Sequence, residues 1–124
     1  DKQVFFIKNI PYRELVKHYS QADIFVFPSL WNEPFGMPVI EAMACGLPVV
    51  ATKSGGIPEI VQHERTGLLV ERGDPNSLAD AIFTLLEDPK LRNSMGVQGR
   101  KQVFETFSWD VVAKQFEKLY RKVT

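Results

Sequence analysis

Glu33 and Glu41 stand eight positions apart, separated by Pro34, Phe35, Gly36, Met37, Pro38, Val39 and Ile40. Carboxylates accept hydrogen bonds from hydroxyl groups or carry protons, and the residues between them decide which chemistry fits. Pro34 and Gly36 break any periodicity, so residues 28–36 read as a loop. Gly36 is expected to let the backbone of that loop come close to a ligand. Pro38 suits a first helical turn, where its missing N–H would have found no partner. A helix starting there points unpaired amides and the positive end of its dipole at the loop, which favours a phosphate or pyrophosphate. Carboxylates repel phosphate. Glu33 just before that seat and Glu41 about a turn inside the helix therefore suit a ligand with hydroxyls on either side of its phosphates. A nucleoside diphosphate sugar has this layout: ribose, pyrophosphate, hexose. By residue type alone, two glutamates beside a loop more often mark a solvated surface. Ala42, Ala44 and Gly46 likewise need mean only close helix-to-sheet packing. The pattern leaves both readings open.

The elements that would hold these residues follow from periodicity. Val4-Phe5-Phe6-Ile7 reads as a first strand, and a helix from near Pro11 to Gln21 would bury Leu15, Val16 and Tyr19. Asp23 to Phe27 is a second strand, Met37 to Cys45 a helix ended by Gly46 and Pro48, and Pro48 to Ala51 a third strand. Strands alternating with helices indicate right-handed crossovers and a parallel sheet covered on both faces. Ligands bind such sheets beyond the carboxyl ends of the strands, which is where the loop 28–36 begins. Gly55-Gly56 in the next such loop reads as a phosphate nest or, with better support, a tight turn. A short helix around Pro58 and a last strand, Gly67 to Glu71, complete this part. Asp74-Pro75 and Asp88-Pro89 each read as a cap followed by a first-turn proline. The first helix carries Leu78, Ala79, Ile82, Phe83, Leu85 and Leu86; the second, to about Phe104, is loosened by Gly96 and Gly99. Ser108 caps a terminal helix whose stripe, Val112, Phe116, Leu119, Tyr120 and Val123, is expected to pack in the ordinary way.

Composition narrows the classes. At 124 residues the chain is one domain, 1–124, short for a complete two-substrate enzyme. Fifteen Lys plus Arg against fifteen Asp plus Glu leave no net field to attract nucleic acid. Cys45 stands alone, which excludes an internal disulfide and fits a reducing compartment. It reads as a small core-facing residue, and His18 as part of a solvated face. No apolar run reaches the length of a membrane span. The expected location is cytoplasmic, with a membrane-peripheral position open to a longer enzyme. A start at Asp1 running at once into strand-like residues reads as an excerpt.

Glu33-Pro-Phe-Gly-Met-Pro-Val-Ile-Glu41 resembles the paired-glutamate motif of the group 1 retaining glycosyltransferases, which have the GT-B fold. The resemblance continues through Ala42 to Thr52, Gly55 to Val61, Thr66 to Val70 and Gly73-Asp74-Pro75, so nearly the whole chain is similar to the family's C-terminal domain. It implies a Rossmann-like parallel sheet flanked by helices, a partial C-terminal GT-B domain with C-terminal helices. It implies transfer of a hexosyl group from a nucleotide sugar to a sugar, lipid or small-molecule acceptor with retained configuration. By this resemblance Glu33 occupies the catalytic position and contacts donor-sugar hydroxyls. Phe35 and Gly36 lie along that sugar with their backbone, the amides near Met37, Pro38 and Val39 face the distal phosphate, and Glu41 binds the ribose.

The family's members generally work without a bound metal or other cofactor, and no Asp-X-Asp motif occurs here. The resemblance favours front-face attack by the acceptor, the leaving phosphate taking its proton, over Glu33 as a covalent nucleophile. The acceptor domain and the opening of the donor domain, with the family's Arg/Lys phosphate pair, are missing from these residues. Gln3 stands where many relatives have Arg; Lys8 and Lys53 are the substitutes at hand. The segment is therefore expected to be inactive alone and to need an N-terminal domain or a partner subunit. Two other classes stay open: a non-catalytic nucleotide-sugar-binding module, and a flavodoxin-like interaction domain alike only in architecture.

Overall fold

Phe25–Phe27 (β1), Val49–Thr52 (β2) and Gly67–Val70 (β3) pair in parallel, in the order β1-β2-β3, in the computed structural model, which describes residues 3–123. The register sets Phe25 opposite Val49 and Val49 opposite Gly67. Tyr12–Gln21 (α1), Met37–Ala44 (α2), Ile57–Ile60 (α3), Pro75–Glu87 (α4), Pro89–Thr106 (α5) and Trp109–Val123 (α6) are helical. The central strand β2 is buried along its whole length, as a strand covered on both faces must be. Side chains alternate across it. Val49 and Ala51 join Val39, Met43 and Ile57 in one core, and Val50 joins Val70, Leu85 and Met95 in the other. Burying each of these larger side chains contributes about 1.5–3 kcal/mol relative to leaving it in water.

The alternating α/β order, the three internal strands and the helix starts agree with the sequence. Asp74 Oδ1 accepts the Ser77 amide at 3.0 Å and Asp88 Oδ1 accepts the Leu91 amide at 3.0 Å. Each cap satisfies one amide that its helix leaves unpaired.

Several expectations are corrected. Val4 to Ile7 form no strand; their side chains are exposed, Phe6 at 91%. An apolar run becomes a strand only beside another strand, and β1, the sheet edge, is paired only with β2. Val16 is exposed, leaving Tyr19 as the buried residue of α1. Phe83 and Leu86 likewise face solvent, so α4 buries a narrower stripe through Ala81 and Leu85. The stripe of α6 is largely exposed at Phe116, Leu119 and Val123, and no residue of that helix is fully buried.

Gly96 and Gly99 do not loosen α5. They let it lie against the end of α2, where a Cβ on Gly96 would come within 2.1 Å of the Gly46 carbonyl oxygen. A Cβ on Gly99 would meet the Met43 methyl at 3.5 Å, an ordinary contact. Gly96→Ala is therefore expected to destabilise the chain by about 1–3 kcal/mol through overpacking. Gly99→Ala should leave stability unchanged or raise it by up to about 1 kcal/mol through helix propensity. Urea unfolding of the two variants, at matched slope, checks the pair.

Candidate functional site

The loop 28–36 leaves β1 at its carboxyl end, and the turn 53–56 leaves β2 at the same edge. The two are locked together. Thr52 Oγ1 donates to the Ser29 carbonyl oxygen at 2.7 Å, and the Gly56 amide donates to the Glu33 carbonyl oxygen at 2.8 Å. Gly55, with φ +54°, passes so close that a Cβ there would lie 2.1 Å from that same oxygen. The tight-turn reading of Gly55-Gly56 thus describes them: the Gly56 amide holds the loop, and both glycines give the two backbones room to meet.

Glu33 is half-buried, and the Trp31 indole N–H donates to its Oε1 at 2.8 Å. Gly36 also has a role in packing. It is buried, takes the left-handed conformation at φ +77°, and a Cβ would strike Ile57 Cδ1 at 2.5 Å. Its place is to turn the chain into α2 while packing on α3.

Gly36 is the N-cap of α2 and caps it with no side chain; no acidic residue stands in the first turn. The Val39 amide bonds the Gly36 carbonyl at 3.0 Å and Pro38 has no N–H. Among the described residues the Met37 amide has no partner, so the predicted group of amides narrows to Met37 with the dipole behind it.

Glu41 sits on α2, half-buried, and both its oxygens are occupied. Tyr12 Oη donates to Oε1 at 3.2 Å and Tyr19 Oη to Oε2 at 3.2 Å. Burial, and after it the charge and hydrogen bond of Glu41, push the Tyr19 phenol up to about 12. The charge of Glu41 and then its hydrogen bond raise Tyr12 as well. Burial raises the thiol of Cys45, which lies half-buried nearby, in keeping with a packing residue.

Three of the predicted residues line hollows, and they line two different ones. Phe35 and Met37 line a cavity of about 360 Å³ with Ile40, Val103, Phe107 and Trp109. The Phe35 ring stands edge-on to Phe107 at 6.1 Å. Glu41 lines another cavity, of about 180 Å³, with Tyr12, Leu15, Tyr19 and Cys45. Glu33 and Glu41 share neither of these. Lys53 is taken up by Glu71 at 2.8 Å, and Arg72 donates to Asn32 Oδ1 at 3.0 Å beside Glu33. Among the described residues no group of three His, Cys, Asp or Glu could hold a metal ion.

Sequence reasoning missed the two tyrosines as partners of Glu41. Tyr12 and Tyr19 are seven apart, two turns of one helix face, and that spacing was the available signal. Nothing in the sequence pointed to Trp31 on Glu33.

Residues 1–102 match the family model described as glycosyl transferases group 1. The chain belongs to the group 1 glycosyltransferases. The D-inositol 3-phosphate glycosyltransferase of Corynebacterium efficiens is 44% identical over 124 residues, all of this chain and 29% of that protein. Sucrose-phosphate synthase from Thermosynechococcus elongatus superposes with a TM-score of 0.90 at 43% identity, covering 98% of this chain and 30% of that one. Anabaena HepE in complex with UDP-glucose superposes at 0.80 with 30% identity, covering 86% and 29%. The group 1 chain thus spans under a third of the length of these relatives, and its α/β architecture is that of GT-B C-terminal domains.

The site makes a structural prediction for this glycosyltransferase segment. Gly55→Ala should push the Glu33 backbone away, destabilising the chain by about 1–3 kcal/mol. Amide exchange at Gly56, measured by NMR, should lose its protection in that variant; retained protection would show that the loops tolerate the extra carbon.

Proposed function

We propose that residues 1–124 bind the donor of a retaining hexosyltransferase that takes a nucleoside diphosphate sugar, and that they are inactive alone. The observation that carries this reading is the start of α2. Its Met37 amide has no partner among the described residues, its first turn holds no acid, and Glu33 and Glu41 flank it. An uncompensated helix start favours an anion, and carboxylates on either side favour hydroxyls. The UDP-glucose complex of HepE, with 30% identity, supports the same ligand class.

In this reading Glu41 binds ribose hydroxyls, the Met37 amide faces the distal phosphate, with Pro38 and Val39 shaping that turn, and the backbone of Phe35 and Gly36 lies along the sugar. Glu33 contacts the sugar's hydroxyls, and its bond from Trp31 leaves lone pairs for them. The departing diphosphate needs fixed positive potential where its charge develops. Removing one such donor from an enzyme costs on the order of 2.7–4 kcal/mol in barrier. The acceptor attacks the face the leaving group departs from, and its proton passes to the leaving phosphate. No metal or other cofactor has a part in this scheme.

The acceptor half is supplied by a further segment or a partner subunit. Two exposed apolar surfaces support this: Phe116 and Leu119 of α6, at 55% and 56% exposure, and Phe5-Phe6 before α1. Patches of that kind mark contact surfaces.

UDP added to the isolated chain at a hundred times its Kd is expected to raise stability by about 2.7 kcal/mol, read as a shift in Tm. Glu41→Ala should abolish the shift. The absence of any shift for UDP, GDP or ADP in the parent chain would remove the donor-binding reading. In a complete enzyme carrying this segment, Glu33→Gln should lower kcat far more than it raises the donor Kd. Equal losses would place Glu33 in ground-state binding instead.

A further inference from the structure

Glu41 is held from α1 by two phenols that differ in burial. Tyr19 is 7% exposed, and its ring stands edge-on to Phe25 of β1, with centroids 5.7 Å apart at 70°. Tyr12 is 70% exposed, so water surrounds most of its ring. A phenol clamped against the sheet keeps its O–H in one place; a phenol in water exchanges its partner freely. The two hydroxyls donate to different oxygens of one carboxylate.

A carboxylate offers about four lone-pair sites, two on each oxygen. Tyr12 and Tyr19 take one apiece, which leaves one on Oε1 and one on Oε2. A vicinal diol presents two O–H donors at the spacing of such a pair of oxygens, and a carboxylate serves both only when its plane is fixed. An unbraced Glu side chain on a half-exposed helix face turns about its terminal bond. The phenol of Tyr19 removes that freedom. The hollow of about 180 Å³ beside the carboxylate, lined also by Leu15, Val16 and Ala44, leaves space next to the braced group. Burial, and after it the charge of Glu41, raise the Tyr19 phenol to about 12, so the group stays a donor.

We infer that Tyr19 is a positioning residue for nucleotide recognition, fixing the Glu41 carboxylate so that its remaining lone pairs meet the two ribose hydroxyls, while the exposed Tyr12 is an exchangeable partner of Oε1 that does not fix the carboxylate. The inference rests on the donor-binding reading above, which gives Glu41 its ribose but gives no part to either tyrosine.

The test is a cycle between protein and ligand. Affinities of UDP and of 2′,3′-dideoxy-UDP are measured by calorimetry for the parent chain, Tyr19→Phe and Tyr12→Phe. Tyr19→Phe keeps the ring against Phe25 and deletes only the hydroxyl. It should weaken UDP about tenfold, the scale of one hydrogen bond to a charged group, and change the dideoxy ligand less than about twofold. Loss of packing alone would weaken both ligands equally, and that result overturns the inference, as does an unchanged affinity for UDP. Tyr12→Phe, at an exposed position that cannot compromise folding, should leave UDP binding unchanged or tighten it up to about twofold. A tenfold loss there would overturn the division between brace and exchangeable partner. Failure of the donor reading itself looks different: the parent chain would then bind neither nucleotide, or would bind both with equal affinity in parent and Glu41→Ala alike.

Discussion

Nothing larger than a hydrogen atom fits between the turn after β2 and the loop after β1, and the site depends on that fact. The Glu33 carbonyl oxygen lies 2.1 Å from where a Cβ of Gly55 would be, and the same oxygen accepts the Gly56 amide at 2.8 Å. The loop carrying Glu33 is thereby tied to the central strand, whose residues are all buried. Gly36 continues the constraint, since its left-handed backbone and its contact with Ile57 fix the direction in which α2 leaves. A loop in water samples many conformations, and each fixed residue costs about 1–2 kcal/mol of entropy. Here the cost is met on folding, by backbone packing, before any ligand arrives. That is the physical content of preorganisation at this edge of the sheet.

The electrostatics of the edge follow from what is left unpaired. Helix α2 begins without a capping side chain and without an acid in its first turn. Most helices recruit a carboxylate or hydroxyl there, as α4 and α5 do with Asp74 and Asp88. Helices α1 and α3 also lack a capping side chain but carry Glu14 and Glu59 in their first turns, whereas α2 has neither and stands beside Glu33 and Glu41. Those glutamates have no shared cavity among the hollows that Phe35, Met37 and Glu41 line. Each is instead oriented by an aromatic donor, Trp31 for Glu33 and the two tyrosines for Glu41.

The fold was legible where local chemistry and tertiary packing agree. Apolar runs at 25–27, 49–52 and 67–70 became parallel strands because each has a strand beside it. The equally apolar Val4 to Ile7 did not, because hydrophobicity alone cannot supply a partner. Glycines were legible as positions but not as reasons. Gly96 reads as a helix weakness until the Gly46 carbonyl is seen against it, and nothing in the sequence tells of the Ile57 side chain that packs on Gly36. The motif of two glutamates was found from residue type and spacing. Their partners were not, since Tyr19 reaches Glu41 across 22 positions and a different helix. A contact of that range leaves no trace in a single sequence except the two-turn repeat of the tyrosines.

The charge inventory sets what this edge of the sheet can do by itself. Lys53 faces Glu71, and Arg72 is bonded to Asn32 next to Glu33. Lys53 and Glu71 are both well exposed, so solvent weakens their attraction. A diphosphate brings more negative charge than one helix start balances, since the dipole is worth about half an elementary charge. Binding and departure of the diphosphate are separate demands in this respect. A helix start with flanking hydroxyl acceptors suits recognition of a diphosphate between hydroxyls, while stabilising the charge that develops on bond breaking calls for a full cation. The described residues meet the first demand more fully than the second. This is the physical ground on which we propose donor recognition for this segment and turnover for a larger assembly.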